Sequence, residues 1–315
     1  MNEILLRPVV VNCPPFDEKI GGSVVLHYLV DRLRKIGVDA YAYPITPSPA
    51  EMREMIRQRY GDLPLPQYLT RTWNFRRKAK RIRLAFRKHP TMNVPIANRK
   101  ILKDAIVIYP EVVIGNPLRS RHVVRWLLAH PGSRAGQISD FGDDIVYYYR
   151  DAYGVGIRGL DVGNRLRLRW FRDDVYVKEN SGERQGICVL GEISGSCNVS
   201  AELKGAIAID GLSHSEIAKI FNQTEKFYSY APHTMFTTYA AMCGCIPVVV
   251  PQKGVSREAW RPEKDFFGVA YGDGVDQITW ARNTRDELLK ACDDEKAKQD
   301  LMVSNFAERL KVQFS

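Results

Sequence analysis

Residues 226–251 read KFYSYAPHTMFTTYAAMCGCIPVVVP, and they limit what this chain can fold into more than any other stretch. Residues 226–230 are short, aromatic and β-prone, and Ala231, Pro232 and His233 break the run. Thr234 is placed to cap a helix that runs through Met242 and stops at Gly244. Residues 246–250 are apolar and largely β-branched, closed by Pro251, the pattern of a parallel strand buried on both faces. Strand, tight polar loop, helix and buried strand together predict an α/β layer fold. In such folds the helix start is a natural phosphate site, because its first N–H groups are free and the helix dipole favours an anion. Ser229, Tyr230 and His233 would stand at the mouth of the sheet, and Thr234, Thr237 and Thr238 in the first helical turn. The plainer alternative makes Thr234 a simple N-cap and the others surface polar residues.

The rest of the chain repeats this alternation. Residues 4–11 predict a first strand. Gly21-Gly22-Ser23 then opens a helix in which Val24, Val25, Tyr28, Leu29 and Leu33 recur at helical spacing, and residues 38–43 predict a second strand. The glycine pair lets backbone approach a phosphate, or merely makes a tight turn. Residues 50–60 predict a helix, 104–109 a strand and 122–128 a helix stopped by Pro131-Gly132; residues 140–177 read as polar and irregular. Strands follow at 185–190, 206–209 and 267–271. Ser213 and Glu216 form a capping box, S-x-x-E, before another helix. A last helix runs from Thr284 to about Phe306 or beyond, with a break near Asp293. The expected architecture is α/β, with two Rossmann-like domains facing a cleft, residues 1–175 and 176–315, the last helix packing back on the first domain.

The 315 residues are 45% hydrophobic and 26% charged, which suits a globular protein with full cores. No window is apolar enough to span a membrane and no signal-peptide pattern opens the chain, so a cytoplasmic protein is expected. The six cysteines lack zinc spacing and read as buried free thiols. A net charge of +10 favours anionic partners. The basic maximum, residues 70–89, interleaves Trp73, Phe75, Ile82, Leu84 and Phe86 with Arg and Lys. It suits an anionic membrane surface, nucleic-acid phosphates or a plain solvated face. No P-loop, G-x-S-x-G or H-E-x-x-H motif occurs. There is no Asp-x-Asp triplet either, so phosphate would be neutralised by helix ends and by Arg119, Arg121, Arg125, Lys253 or Arg257.

Three places together resemble bacterial GT-B glycosyltransferases of the polysaccharide, O-antigen and capsule assembly type. They are the first strand with Gly21-Gly22-Ser23, the segment YPEVVIGNPLRSRHVVRWLLAHPG at 109–132, and the segment from SHSEIAKIF through PVVVP at 213–251. The last is the most specific, with a strand ending in a Ser-Tyr turn and a helix leading to Gly-Cys-x-Pro-Val-Val. The resemblance implies transfer of a sugar from a nucleotide-sugar donor to a glycan or lipid-linked acceptor, usually without bound metal and with no cofactor. Residues 176–315 would hold the donor and residues 1–175 the acceptor. By position, Ser229, Tyr230, Thr234, Thr237 and Thr238 would line the donor diphosphate and sugar, with Gly21 and Gly22 facing it. Such proteins often carry acidic residues where this chain has Ala231 and Tyr239.

Transfer with inversion needs a general base for the acceptor hydroxyl. Asp17 and Glu18, on the loop after the first strand, are the candidates, ahead of Glu111 and His122. A catalytically silent binder of nucleotide or glycan is the alternative. A nucleic-acid-binding protein ranks below both, because only basicity supports it.

Overall fold

The computed structural model describes residues 7–18, 20–45, 53, 56–57, 61, 63–84, 86–130, 141–157, 160–191, 205–232, 234–260 and 266–314. Contacts divide the chain into two compact units. One is Met1–Trp170 with Ala297–Ser315, and the other is Phe171–Lys296. Most of the helix expected at 50–60 lies outside the described residues.

The first unit holds β1 (Val9–Cys13), β2 (Ala40–Pro44), β3 (Ile106–Pro110), β4 (His122–Leu127) and β5 (Ile145–Tyr148). They form one parallel sheet in the order β2-β1-β3-β4-β5. α1 (Gly21–Lys35) links β1 to β2; α2 (Leu65–Leu84), α3 (Arg99–Leu102) and α4 (Asp151–Gly154) follow. β1 and β3 are buried along their whole length because both faces are covered. Val9, Val11, Ile106 and Ile108 pack with Leu26, Leu29 and Leu33 of α1. Val10, Val107 and Tyr109 pack on the other face with Ala97 and Ala105.

Residues 122–128, expected as a helix, form strand β4 instead. Their run of Val, Trp and Leu is compatible with either state by periodicity alone. The neighbours decide: β4 pairs in register with β3 and with β5, and Val124 and Trp126 are wholly buried. The indole Nε1 of Trp126 donates to the Leu166 carbonyl at 3.0 Å. β5 lies inside the segment expected to be irregular, and its tyrosines close the sheet edge rather than a loop.

The second unit contains β6 (Ile187–Leu190), β7 (Ile207–Ala208), β8 (Lys226–Ser229), β9 (Ile246–Val249) and β10 (Ala270–Tyr271), all parallel, in the order β10-β9-β8-β6-β7. Its helices are α5 (His214–Gln223), α6 (Phe236–Cys243), α7 (Arg257–Trp260) and α8 (Val275–Asn283). The Ser213–Glu216 capping box forms as expected, opening α5. α9 (Arg285–Gln313) is continuous, with no break at Asp293. It passes from the second unit to the first at Lys296, and Val303, Phe306, Ala307 and Leu310 enter the core around β1. Counted within its own unit, each sheet has the order 2-1-3-4-5, that of doubly wound folds.

Candidate functional site

In each sheet the connection order reverses between the first and third strands, and ligands of open α/β sheets bind beyond the carboxyl ends at such a point. In the second unit those strands are β6 and β8, paired from Ile187↔Lys226 to Leu190↔Ser229. The next residues, Gly191 and Tyr230, stand side by side. The Tyr230 N–H donates to the Leu190 carbonyl at 3.1 Å. Gly191 has a φ of +96°, and a Cβ there would lie 3.2 Å from the Cβ of Tyr230. Glycine therefore meets both a left-handed turn and a close approach. The Gly191 N–H is accepted by both carboxylate oxygens of Asp210, at 3.1 and 3.0 Å.

The residues expected to contact a donor divide into two groups. Ser229 and Thr237 are buried, and their hydroxyls fold the loop: Ser229 Oγ donates to the Ala231 carbonyl at 2.9 Å, and Thr237 Oγ1 to the Thr234 carbonyl at 3.0 Å. Tyr230, Thr234 and Thr238 are half-buried, with part of each side chain open to solvent. His233 lies outside the described residues. Thr234 is not the N-cap expected. α6 starts at Phe236, Met235 occupies the cap position, and no side-chain cap bond forms. The chain turns once more before the helix, so the Thr234 hydroxyl reaches only as far as the Phe236 N–H, at 3.2 Å. The first turn of α6 thus carries neither an acidic residue nor a side-chain cap. The loop is pinned from outside by Trp260, whose Nε1 donates to the Pro232 carbonyl at 3.0 Å. No short-range pattern signals that bond, which spans 28 positions.

Tyr239 points into the core, where it stacks on Tyr176 with ring centroids 4.2 Å apart. The Tyr176 hydroxyl meets His214 Nδ1 at 2.5 Å, which places that histidine in an aromatic cluster with Phe236 and Tyr239.

In the first unit the corresponding carboxyl ends are those of β1 and β3. The loop after β1 folds back on α1: Ser23 Oγ accepts the Asp17 N–H at 2.9 Å and donates to the Pro15 carbonyl at 3.0 Å. Asp17 is exposed and Glu18 partly so. α1 begins at Gly21 without a side-chain cap or an acidic first turn. A Cβ on Gly21 would meet nothing within 4 Å, and one on Gly22 only Leu128 at 3.9 Å, so packing does not demand either glycine. Glu111 is buried and accepts the Leu128 N–H at 2.9 Å, bracing the carboxyl end of β4. His122 opens β4 and so stands at the amino edge of the sheet, away from Asp17 and Glu18.

Two of the expected phosphate-neutralising arginines have other partners. Arg125 is buried and donates to Asp144, Val113 and Gly115. Arg257 lies over the rings of Phe266 and Trp280, at 4.2 and 4.5 Å. A cavity of about 430 Å³ opens at the amino edge of the second sheet, lined by Arg184, Glu225, Ile246, Gly268 and Arg285 among others. It is remote from the switch point, and two of its arginines hold the end of α6. Arg184 donates to the carbonyls of Asn180, Phe221 and Cys243, and Arg285 to those of Ala241 and Met242. The five described cysteines are buried and free. Among the described residues no three metal-ligating side chains gather.

No family model matches the chain, and no curated protein matches it. Among solved structures it is similar to sucrose-phosphate synthase from Thermosynechococcus elongatus. The TM-score is 0.44 and the identity 10%, over 98% of this chain and 97% of that one.

Proposed function

We propose that the chain is a glycosyltransferase that moves a sugar from a nucleotide-sugar donor to a glycan or lipid-linked glycan acceptor, in the synthesis of bacterial surface polysaccharide. The observation that carries this reading is the switch point of the second sheet. There Gly191 and Tyr230 stand side by side, and the helix after Thr234 has neither an acidic residue in its first turn nor a side-chain N-cap. Cleavage of a sugar–diphosphate bond leaves charge on the diphosphate, and fixed N–H groups at a helix start stabilise that charge as it develops. Thr234, before the helix, and Thr238, in its first turn, would add hydroxyls, and Tyr230 would add an aromatic face for the base or sugar. In the first unit, Asp17 or Glu18 would take the acceptor proton in an inverting transfer.

A thermal-shift panel of UDP-, GDP-, CMP- and dTDP-sugars tests the reading. Binding to the folded state alone raises the midpoint. Stabilisation by one nucleotide, with release of that nucleotide when acceptor is added, is the expected result. Thr234→Ala should weaken the binding. No stabilisation by any of the four, with an RNA or DNA oligomer bound instead, would overturn the proposal; binding without turnover would reduce it to a silent binder.

A further inference from the structure

α2 has no counterpart in the catalytic reading, and its surface is unusual for a globular unit. Its sequence, LPQYLTRTWNFRRKAKRIRL, contains no acidic residue. Leu65, Leu69 and Trp73 are 69%, 57% and 57% exposed. Residues four apart drift by about 40° around a helix, so these three form one stripe about 80° wide. Tyr68 and Thr72, on the adjoining side, are half-buried. A surface helix ordinarily turns its polar side to water, and here an apolar row faces out. The exposed side becomes cationic beyond Trp73. The Arg77 guanidinium lies 4.6 Å over the indole, and Lys80 and Arg81 follow, all exposed.

We propose that α2 is a membrane-surface helix that lies along an anionic lipid bilayer. Leu65, Leu69 and Trp73 enter the boundary between headgroups and acyl chains, and Arg77, Lys80 and Arg81 meet lipid phosphates. Charge complementarity selects this occupant: a nucleic acid would satisfy the cations but leave Leu65 and Leu69 in water, whereas an anionic bilayer takes both. Among the described residues no helix is long and apolar enough to cross a membrane, so the contact is along the surface.

The chain after α2 ties this surface to the first unit's switch point. The Arg87 carbonyl accepts the Phe16 N–H at 2.7 Å, and the His89 and Phe16 rings lie 4.8 Å apart. Asp17 and Glu18 come next. If the transferase reading holds, the bilayer contact brings a lipid-linked acceptor to the loop that carries the candidate base; the membrane contact itself does not depend on that reading.

Flotation of the full chain with vesicles tests it. Phosphatidylcholine vesicles containing phosphatidylglycerol should recover the chain at least about ten-fold better than phosphatidylcholine alone, since each basic residue near an anionic surface adds roughly five-fold. Lys80→Gln with Arg81→Gln should lose roughly 25-fold. Lipids brominated on the acyl chain should quench tryptophan emission in the parent, and less in Trp73→Phe, which still floats. The chain has five tryptophans, so quenching unchanged in Trp73→Phe would place the contact elsewhere and overturn the inference. So would equal recovery with neutral vesicles, no recovery, or self-association through Leu69 and Trp73 in place of flotation. A chain that floats but binds no nucleotide sugar keeps this inference and sinks the transferase; the reverse result does the opposite.

Discussion

Asp210 holds the backbone N–H of Gly191 with both oxygens of its carboxylate, at 3.1 and 3.0 Å. The bond joins the end of β7 to the end of β6 and holds Gly191 beside Tyr230. Asp210→Ala frees that N–H in an exposed position, so the fold loses little, about 1 kcal/mol or less. Nucleotide affinity should fall about three- to ten-fold as Gly191 loses its position. Calorimetric titration beside a melting curve checks this, and unchanged affinity would remove Gly191 from the site.

Gly191→Ala should be costlier. The new Cβ meets a positive φ and the Tyr230 Cβ together, at a cost of about 1–3 kcal/mol. Tyr230→Gly in the same background removes the clash but not the backbone strain. A double-mutant cycle on urea midpoints should therefore show coupling between the two positions. Strict additivity would mean that the close approach carries no energy.

Arg285 supports the site from behind. Its Nε and Nη2 donate to the Ala241 and Met242 carbonyls at 2.7 and 3.2 Å, satisfying the last turn of α6. Arg285→Ala should destabilise the chain by about 1–3 kcal/mol. Arg285→Lys should recover only part of that, because an ammonium cannot span two carbonyls as a planar fork does. Hydrogen exchange should quicken first in α6; uniform exchange across the second unit would argue against a local cap.

His27 makes stability depend on pH. It is buried on α1, its Nε2 lies 2.9 Å from the Pro14 carbonyl, and its Nδ1 has no partner among the described residues. Burial pushes its pKa below the ordinary 6.5; the Pro14 bond pulls it back and nearby His89 lowers it further. The unfolded chain therefore takes up a proton below about pH 6.5 that the folded chain refuses. This contribution is full above that value and is lost as pH falls toward the lower folded pKa. His27→Gln should flatten the midpoint-versus-pH curve below about pH 6.5. An unchanged slope would assign the acid sensitivity to other groups.

Much of the second unit could be read in the chain itself. The β8–loop–α6–β9 unit announces its layers through residue type, because a strand buried on both faces must be apolar throughout. The Ser213–Glu216 cap is a four-residue signal and is fully local. What escaped is what distance hides. β4 resembles a helix until β3 and β5 stand beside it, and β5 is a strand because Tyr147 and Tyr148 find an edge to close. The candidate site behaves alike: its hydroxyls were visible, but which of them fold the loop and which face outward depends on carbonyls supplied by the turn itself. The anchors Asp210 and Trp260 are remote partners that no spacing predicts.

α9 has a consequence for how this protein is made. Synthesis proceeds from the amino end, and domains fold as they emerge. The second unit is continuous and can close once residue 296 is out, but the core around β1 still lacks Val303, Phe306, Ala307 and Leu310. The earlier-made sheet is thus the later to be sealed. On the ribosome it must wait with an open apolar face through the whole synthesis of its neighbour, which makes it the half most in need of a chaperone and the half most sensitive to shortening of the last helix.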